Sequence, residues 1–96
     1  MMSALAHEVA GEAREGSEMR PVLARIEDAW QFALVVERVD ADLVAVFVPG
    51  APDPKSGSVY LMTNDRLKTL DVSISEVMKC LKGLGLGARA LLADRI

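Results

Sequence analysis

A loop rich in proline and glycine separates two apolar segments in the middle of this chain, and it fixes where regular structure must break. It follows the apolar run 43–48 (LVAVFV) and reads PGAPDPKSG over residues 49–57. Because proline fixes φ and has no amide hydrogen, three prolines within six residues cannot continue a strand ladder. The sequence therefore predicts that the chain leaves a β-sheet at Pro49 and re-enters it as a second strand over residues 58–62.

Three further segments have the pattern of strands. Residues 22–26 and 31–39 alternate apolar and polar positions on either side of Glu27 and Asp28, which favours a hairpin. Residues 66–70 are short and partly polar, so we expect this strand near an edge of the sheet. The run that precedes the loop is apolar on both faces, which is typical of a central strand covered on both sides.

One main helix is predicted after the strands. Ser73 and Glu76 have the spacing of a capping box, in which each side chain bonds the backbone amide of the other residue. Gly83 and Gly85 would stop this helix, and residues 88–96 form either a short second helix or a tail strand. Apolar residues recur at helical spacing and predict one buried stripe, consisting of Ile74, Val77, Met78, Leu81 and Leu84.

These segments predict an α+β fold, a small and mostly antiparallel sheet of about five strands with one main helix packed on it. The 96 residues of the chain suffice for one domain, which we expect to span residues 20–96. Residues 1–19 contain four glutamates and two glycines, so this segment is predicted to be flexible or weakly helical.

Composition argues against nucleic-acid binding and against a membrane span. The net charge is −3, and the eleven Lys and Arg residues are spread from Arg14 to Arg95 rather than clustered as a nucleic-acid surface requires. Trp30 and Tyr60 have no basic run around them, so both are predicted to pack in the core or at its rim. The longest stretch without an acidic or basic residue is ten residues, too short to cross a bilayer.

Two constellations could carry chemistry, and each has a simpler explanation. Residues 83–88 match the G-x-G-x-x-A string of a dinucleotide-binding turn, but they follow a helix rather than a strand, which predicts a helix stop and a turn. His7 and Cys80 could act as base and nucleophile, but His7 lies in the weak N-terminal segment. We expect Cys80 to be a buried or half-buried small residue, and neither a cofactor nor a metal is predicted.

The loop and its surroundings resemble a known family. Residues 46–57, VFVPGAPDPKSG, are similar to a run close to V-F-V/I-P-T-x-P-N/D-P-x-S-G in the domain-of-unknown-function family 502, called LIKE-COV in plants after continuous vascular ring. The resemblance continues through LDVS at residues 70–73 and the main helix, and upstream it places Trp30 at the tryptophan of the family. It covers about residues 20–92, and Gly50 stands where many members have threonine.

The resemblance implies a function without catalysis. Members are integral membrane proteins with a soluble domain, linked in plants to trafficking compartments and vascular patterning, and they have no established enzymatic activity. The two transmembrane helices that precede this domain in members are absent, so we expect a fragment, a truncated reading frame or a soluble relative. The expected location is cytoplasmic, or membrane-associated if the chain is part of a typical member.

We therefore expect an interaction module that presents the loop at residues 49–57, here called the proline loop, to a protein partner. Rigid loops on a sheet concentrate binding residues, and prolines reduce the entropy lost on docking. The candidate interface consists of Pro49, Gly50, Pro52, Asp53, Pro54, Lys55, Ser56 and Gly57. A simpler interpretation is that the loop packs back on the sheet as a rigid crossover.

Two alternatives from other classes stay open. A small hydrolase or lyase could use Asp53 together with Ser56 or Tyr60, which would require a cleft around the carboxylate. A homo-oligomer could form if the edge strand at residues 66–70 pairs with the same strand of another copy.

Overall fold

A computed structural model describes residues 19–93, which form a five-stranded antiparallel sheet with a helix packed on it. The predicted α+β class is therefore confirmed. The segment predicted to be flexible or weakly helical lies outside the described residues except for Met19, and so does His7. The strands are β1 (Arg20–Ile26), β2 (Ala29–Arg38), β3 (Leu43–Pro49), β4 (Gly57–Thr63) and β5 (Leu67–Thr69).

Two helices follow the sheet in the chain. They are α1 (Ile74–Lys82) and α2 (Ala88–Leu92), and a single turn of 3-10 helix (Asn64–Arg66) joins β4 to β5. Two long-range hydrogen bonds join the 3-10 turn to the β2–β3 connection and to β1. The Asn64 side-chain amide donates to the Ala41 carbonyl at 3.2 Å, and Arg66 Nε donates to the Arg25 carbonyl at 3.0 Å.

The strand order is β4-β3-β2-β1-β5, and each neighbouring pair is antiparallel. The first four strands form a meander, and β5 then returns to pair with β1. The predicted hairpin is confirmed, with Ile26 opposite Ala29 across a two-residue turn in which Glu27 has a φ of 58°. The predicted edge position of residues 66–70 is also confirmed, because β5 is an outer strand.

The central position predicted for β3 is wrong, because β2 lies in the middle of the sheet and β3 is next to the edge strand. Val44, Val46 and Val48 are buried, whereas Ala45 and Phe47 on the opposite face are only half-buried. An unbroken apolar run thus arises here from one fully covered face and one partly covered face. The run alone could not distinguish that situation from a central strand, since both need apolar residues at every position.

One face of the sheet carries a contiguous valine-rich core. Opposite residues in the ladders share this face, as in the pairs Val22 with Ala33, Val35 with Val46 and Val44 with Met62. Burying each such valine or methionine stabilises the fold by about 1.5–3 kcal/mol. The buried residues of this core are Val22, Ala24, Ala33, Val35, Val44, Val46, Val48 and Met62.

Helix α1 begins at the predicted capping box. Ser73 Oγ accepts from the Glu76 amide at 3.0 Å, and Glu76 Oε1 accepts from the Ser73 amide at 2.9 Å. The side chains of Val77 and Cys80 are buried, and α1 contacts β1. The expected burial of Cys80 is thereby confirmed.

The glycine turn at residues 83–87 ends α1, as the sequence predicts, and α2 follows it as the short second helix. Gly83 caps α1, and its amide donates to the carbonyls of Lys79 and Cys80 at 3.2 and 3.1 Å. The predicted place of Leu84 in the buried stripe is wrong. Because the chain has already left the helix and Leu84 takes a φ of 60°, its side chain is 73% exposed.

Candidate functional site

The proline loop closes the hairpin between β3 and β4. Pro49 ends β3 opposite Gly57, the first residue of β4. Inside the loop, the Gly50 amide donates to the Ser56 carbonyl at 2.6 Å, and the Ser56 amide donates to the Asp53 carbonyl at 3.1 Å. The loop therefore satisfies much of its own backbone, which is what an irregular segment requires to hold one shape.

Gly50 and Gly57 allow the two arms of the loop to approach each other closely. A Cβ atom at Gly50 would lie 2.8 Å from the Ser56 carbonyl oxygen. At Gly57 it would overlap the Val48 carbonyl oxygen and lie 2.9 Å from Phe47 Cζ. Both positions need glycine because backbone fills the space of a side chain. A threonine at position 50 would meet the same contact through its Cβ atom.

The three prolines of the loop have different environments. Pro49 and Pro54 are buried, whereas Pro52, joined to Ala51 by a cis peptide bond, is exposed. Asp53 and Lys55 are also exposed on either side of Pro54. Part of the loop is therefore packed and part of it is exposed. Because it joins neighbouring antiparallel strands, it is a hairpin connection rather than a crossover. Its presentation to a partner stays a prediction.

Asp53 organises the turn from both its backbone and its side chain. Its carbonyl accepts from the Ser56 amide, and its carboxylate accepts from the Lys55 amide at 3.1 Å. This is the Asx-type turn chemistry by which aspartate stabilises irregular backbone. The structure brings Asp53 and Ser56 together through backbone groups, and Tyr60 lies farther along β4 opposite Val46. The hydrolase or lyase alternative stays a prediction.

A second exposed feature surrounds Trp30, whose side chain is 41% exposed. Lys68 Nζ lies 4.9 Å from the centre of the indole ring, and the Arg25 guanidinium carbon lies 5.8 Å from it. Trp30 is thus an exposed side chain, and the interpretation that it has no basic neighbours is wrong in three dimensions. Arg25 is opposite Trp30 in the β1–β2 ladder, and Lys68 arrives on β5 opposite Leu23.

A shallow groove of about 320 Å³ lies where α1, the glycine turn and α2 meet. Its described lining is mainly apolar and includes Cys80, Leu86 and Leu91, with Glu76 and Lys79 as its charged members. No residue of the proline loop lines it. The groove is therefore separate from the candidate interface, and it offers few polar groups to orient a small ligand.

Residues 19–93 contain neither a metal-binding cluster nor a membrane-spanning helix. Within this range, no group of three or more His, Cys, Asp or Glu side chains is arranged to hold a metal ion. None of the helices in the same range combines the length and apolar character needed to cross a membrane. No family model, curated protein or solved structure matches the chain. The resemblance to the LIKE-COV family stays a prediction that rests on the sequence motif.

Proposed function

We propose that this chain is a non-catalytic interaction domain that binds a protein partner through the proline loop. The observation that supports this proposal is the combination of a backbone fixed by internal hydrogen bonds with an exposed tip at Pro52, Asp53 and Lys55. A loop already held in one conformation loses little entropy when it docks. Loops on a rigid sheet are also where binding residues concentrate.

The exposed tip has a defined chemical character. Pro52 offers an apolar ring, and an anionic and a cationic side chain follow it at Asp53 and Lys55. The bond from the Lys55 amide restrains the Asp53 carboxylate, so the negative charge has a preferred direction. A matching partner surface would have a shallow apolar site beside one basic and one acidic group, because complementary charges set the register of docking.

The resemblance to the LIKE-COV family supports the same proposal. No enzymatic activity is established for that family, and its members hold a domain of this kind beside a membrane. On this basis the domain would act as an accessory module in a trafficking compartment, and the proline loop would recruit the partner.

A photo-crosslinking experiment tests the proposed interface. A photoreactive amino acid replaces Pro52 in one variant and Ala41, an exposed residue of the β2–β3 connection, in a matched control. We expect the probe at position 52 to label a discrete protein in extracts of the source cells, and the probe at position 41 to leave it unlabelled. Equal labelling from both positions would contradict the proposal.

A competition experiment tests whether the crosslink depends on the exposed residues of the proline loop. Unlabelled wild-type chain should abolish the crosslink, whereas the triple variant Pro52→Ala, Asp53→Asn, Lys55→Gln should compete about tenfold less well, as expected when exposed anchors are removed. Asparagine at position 53 keeps an acceptor oxygen for the Lys55 amide, so this hydrogen bond of the loop can be retained. Pro54 is left in place because it is buried.

A further inference from the structure

Among the described residues, nothing pairs with the outer edge of β4, and this edge is longer and less protected than the opposite edge at β5. Within residues 19–93, β4 pairs only with β3, and it contains no charged residue and no proline over its seven residues, GSVYLMT. Val59 and Leu61 are 69% and 61% exposed. Proteins normally protect an edge with charge, proline or short length, and β5 at the opposite edge has three residues including Lys68.

The backbone groups of β4 that do not bond β3 lie at defined positions. Hydrogen-bonded and non-hydrogen-bonded residue pairs alternate along an antiparallel ladder. The Gly50 amide donates to the Ser56 carbonyl, and the β3–β4 register runs without a shift from there to Thr63. The residues of β4 that bond β3 are therefore Ser58, Tyr60 and Met62. The amide and carbonyl groups of Val59 and Leu61 point outward.

From this geometry we infer that β4 pairs antiparallel with β4 of a second copy of the same chain, across a twofold axis at Tyr60. In this register, Val59 of one copy lies opposite Leu61 of the other, and each pair exchanges two hydrogen bonds through the outward-pointing groups. Gly57 lies opposite Thr63 in the same way. The sheets of the two copies become one continuous sheet.

The charges that flank β4 favour a second copy in this orientation. Lys55 precedes the strand and Asp65 follows it, and both are exposed. Antiparallel pairing centred on Tyr60 places Lys55 of each copy at the level of Asp65 of the other, whereas parallel pairing would set like charges together. Asp65 is already restrained, because its carboxylate accepts from Thr63 Oγ1 at 2.5 Å. The strand is thus self-complementary in hydrogen bonding, apolar surface and charge.

The first test is the oligomeric state of the full chain by sedimentation velocity over a concentration series. We expect a dimer for the wild type and at least a tenfold weaker dimer for Leu61→Lys, which adds a charge to the edge. Leu86→Lys is the matched control, since Leu86 is 84% exposed in the glycine turn and should leave dimerisation unchanged. A wild type that stays monomeric up to about 1 mM would overturn the inference.

Charge reversal tests the pairing at the ends of the strand. Lys55→Glu should weaken the dimer several-fold at low salt, and the double variant Lys55→Glu, Asp65→Lys should restore it, because the pair is rebuilt with its signs exchanged. Failure of the double variant to recover would contradict the antiparallel orientation. Loss of partner binding in the Lys55 variant would be a separate result, because this assay contains only copies of the chain.

Disulfide trapping tests the register. In a Cys80→Ala background, Tyr60→Cys would place two thiols directly opposite each other in a non-hydrogen-bonded pair, where Cα atoms about 4.5 Å apart suit a disulfide. Val59→Cys is the control, because its thiols would be offset along the strands. We expect covalent dimers to form at least about tenfold faster at position 60. Equal or faster trapping at position 59 would overturn the register.

Discussion

Gly57 lies where the proline loop joins β4, and the Val48 carbonyl oxygen occupies the space that a side chain at position 57 would need. Gly57→Ala should lower the free energy of unfolding by about 1–3 kcal/mol, since backbone must shift to admit the methyl group. Gly83→Ala is a matched control, because its Cβ would meet atoms no closer than 3.6 Å at a φ of −91°. Urea denaturation of both variants measures the difference, and equal stability would contradict the close approach.

Trp30 and Lys68 form the second residue-scale prediction. A double-mutant cycle with Trp30→Leu and Lys68→Met should give a coupling energy of about 0.5–1 kcal/mol, the range of an exposed cation–π contact. Replacing Lys68→Met by Lys55→Met in the cycle provides the control, since Lys55 lies in the proline loop. Coupling that is the same in both cycles would show that the ring does not interact specifically with Lys68.

The cluster around Trp30 shows which contacts a sequence can predict. Once Glu27 and Asp28 are identified as a two-residue turn, the hairpin register places Arg25 opposite Trp30, so this contact was available from local pattern. Lys68 could not be placed in this way. Its position depends on β5 returning to β1 after three intervening strands, and no local spacing encodes that return.

At the scale of the element, α1 depends on its first turn. The helix has nine residues, which is too short to be stable alone, so its cap contributes a large share of its local stability. Ser73→Ala should lower the free energy of unfolding by about 0.5–2 kcal/mol, because the Glu76 amide loses its acceptor. Ser75→Ala, an exposed position two residues later, should change it by less than about 0.5 kcal/mol.

The result for α1 is read from thermal and urea unfolding of the two serine variants. Equal effects at positions 73 and 75 would mean that the capping box adds no more than ordinary helix propensity. The start of this helix was predictable from sequence, since capping is local chemistry with fixed spacing, whereas the buried stripe was extended wrongly to Leu84. The proline loop was predictable only as a break in the sheet. Which of its prolines would be buried depended on packing, and the exposure of Pro52 could not be known beforehand.

At the scale of the whole molecule, Cys80 reports on opening of the fold. It is the single cysteine of the chain, and its side chain is only 5% exposed. An aromatic disulfide reagent should therefore label it at least about tenfold more slowly in buffer than in concentrated urea, since labelling requires an opening event. Equal rates under both conditions would show that α1 leaves the sheet freely.

The dependence on urea separates two kinds of opening. If α1 detaches alone, labelling should be nearly independent of urea at low concentration. If the sheet opens with it, the labelling rate should rise with the same urea dependence as global unfolding. Because α1 contacts β1 and β1 lies within the sheet, we expect the second behaviour.

The return of β5 to β1 has a consequence during synthesis on the ribosome. The meander from β1 to β4 needs only neighbouring strands, so it can assemble as those residues emerge from the exit tunnel. The edge of β1 that faces away from β2 stays unpaired until β5 is synthesised, because Val22 pairs with Thr69, which lies more than forty positions later. Until β5 is synthesised, the outer edge of β1 has no pairing partner, and apolar residues of β1 that are buried in the folded protein are accessible. Chaperone protection would therefore matter most during this interval.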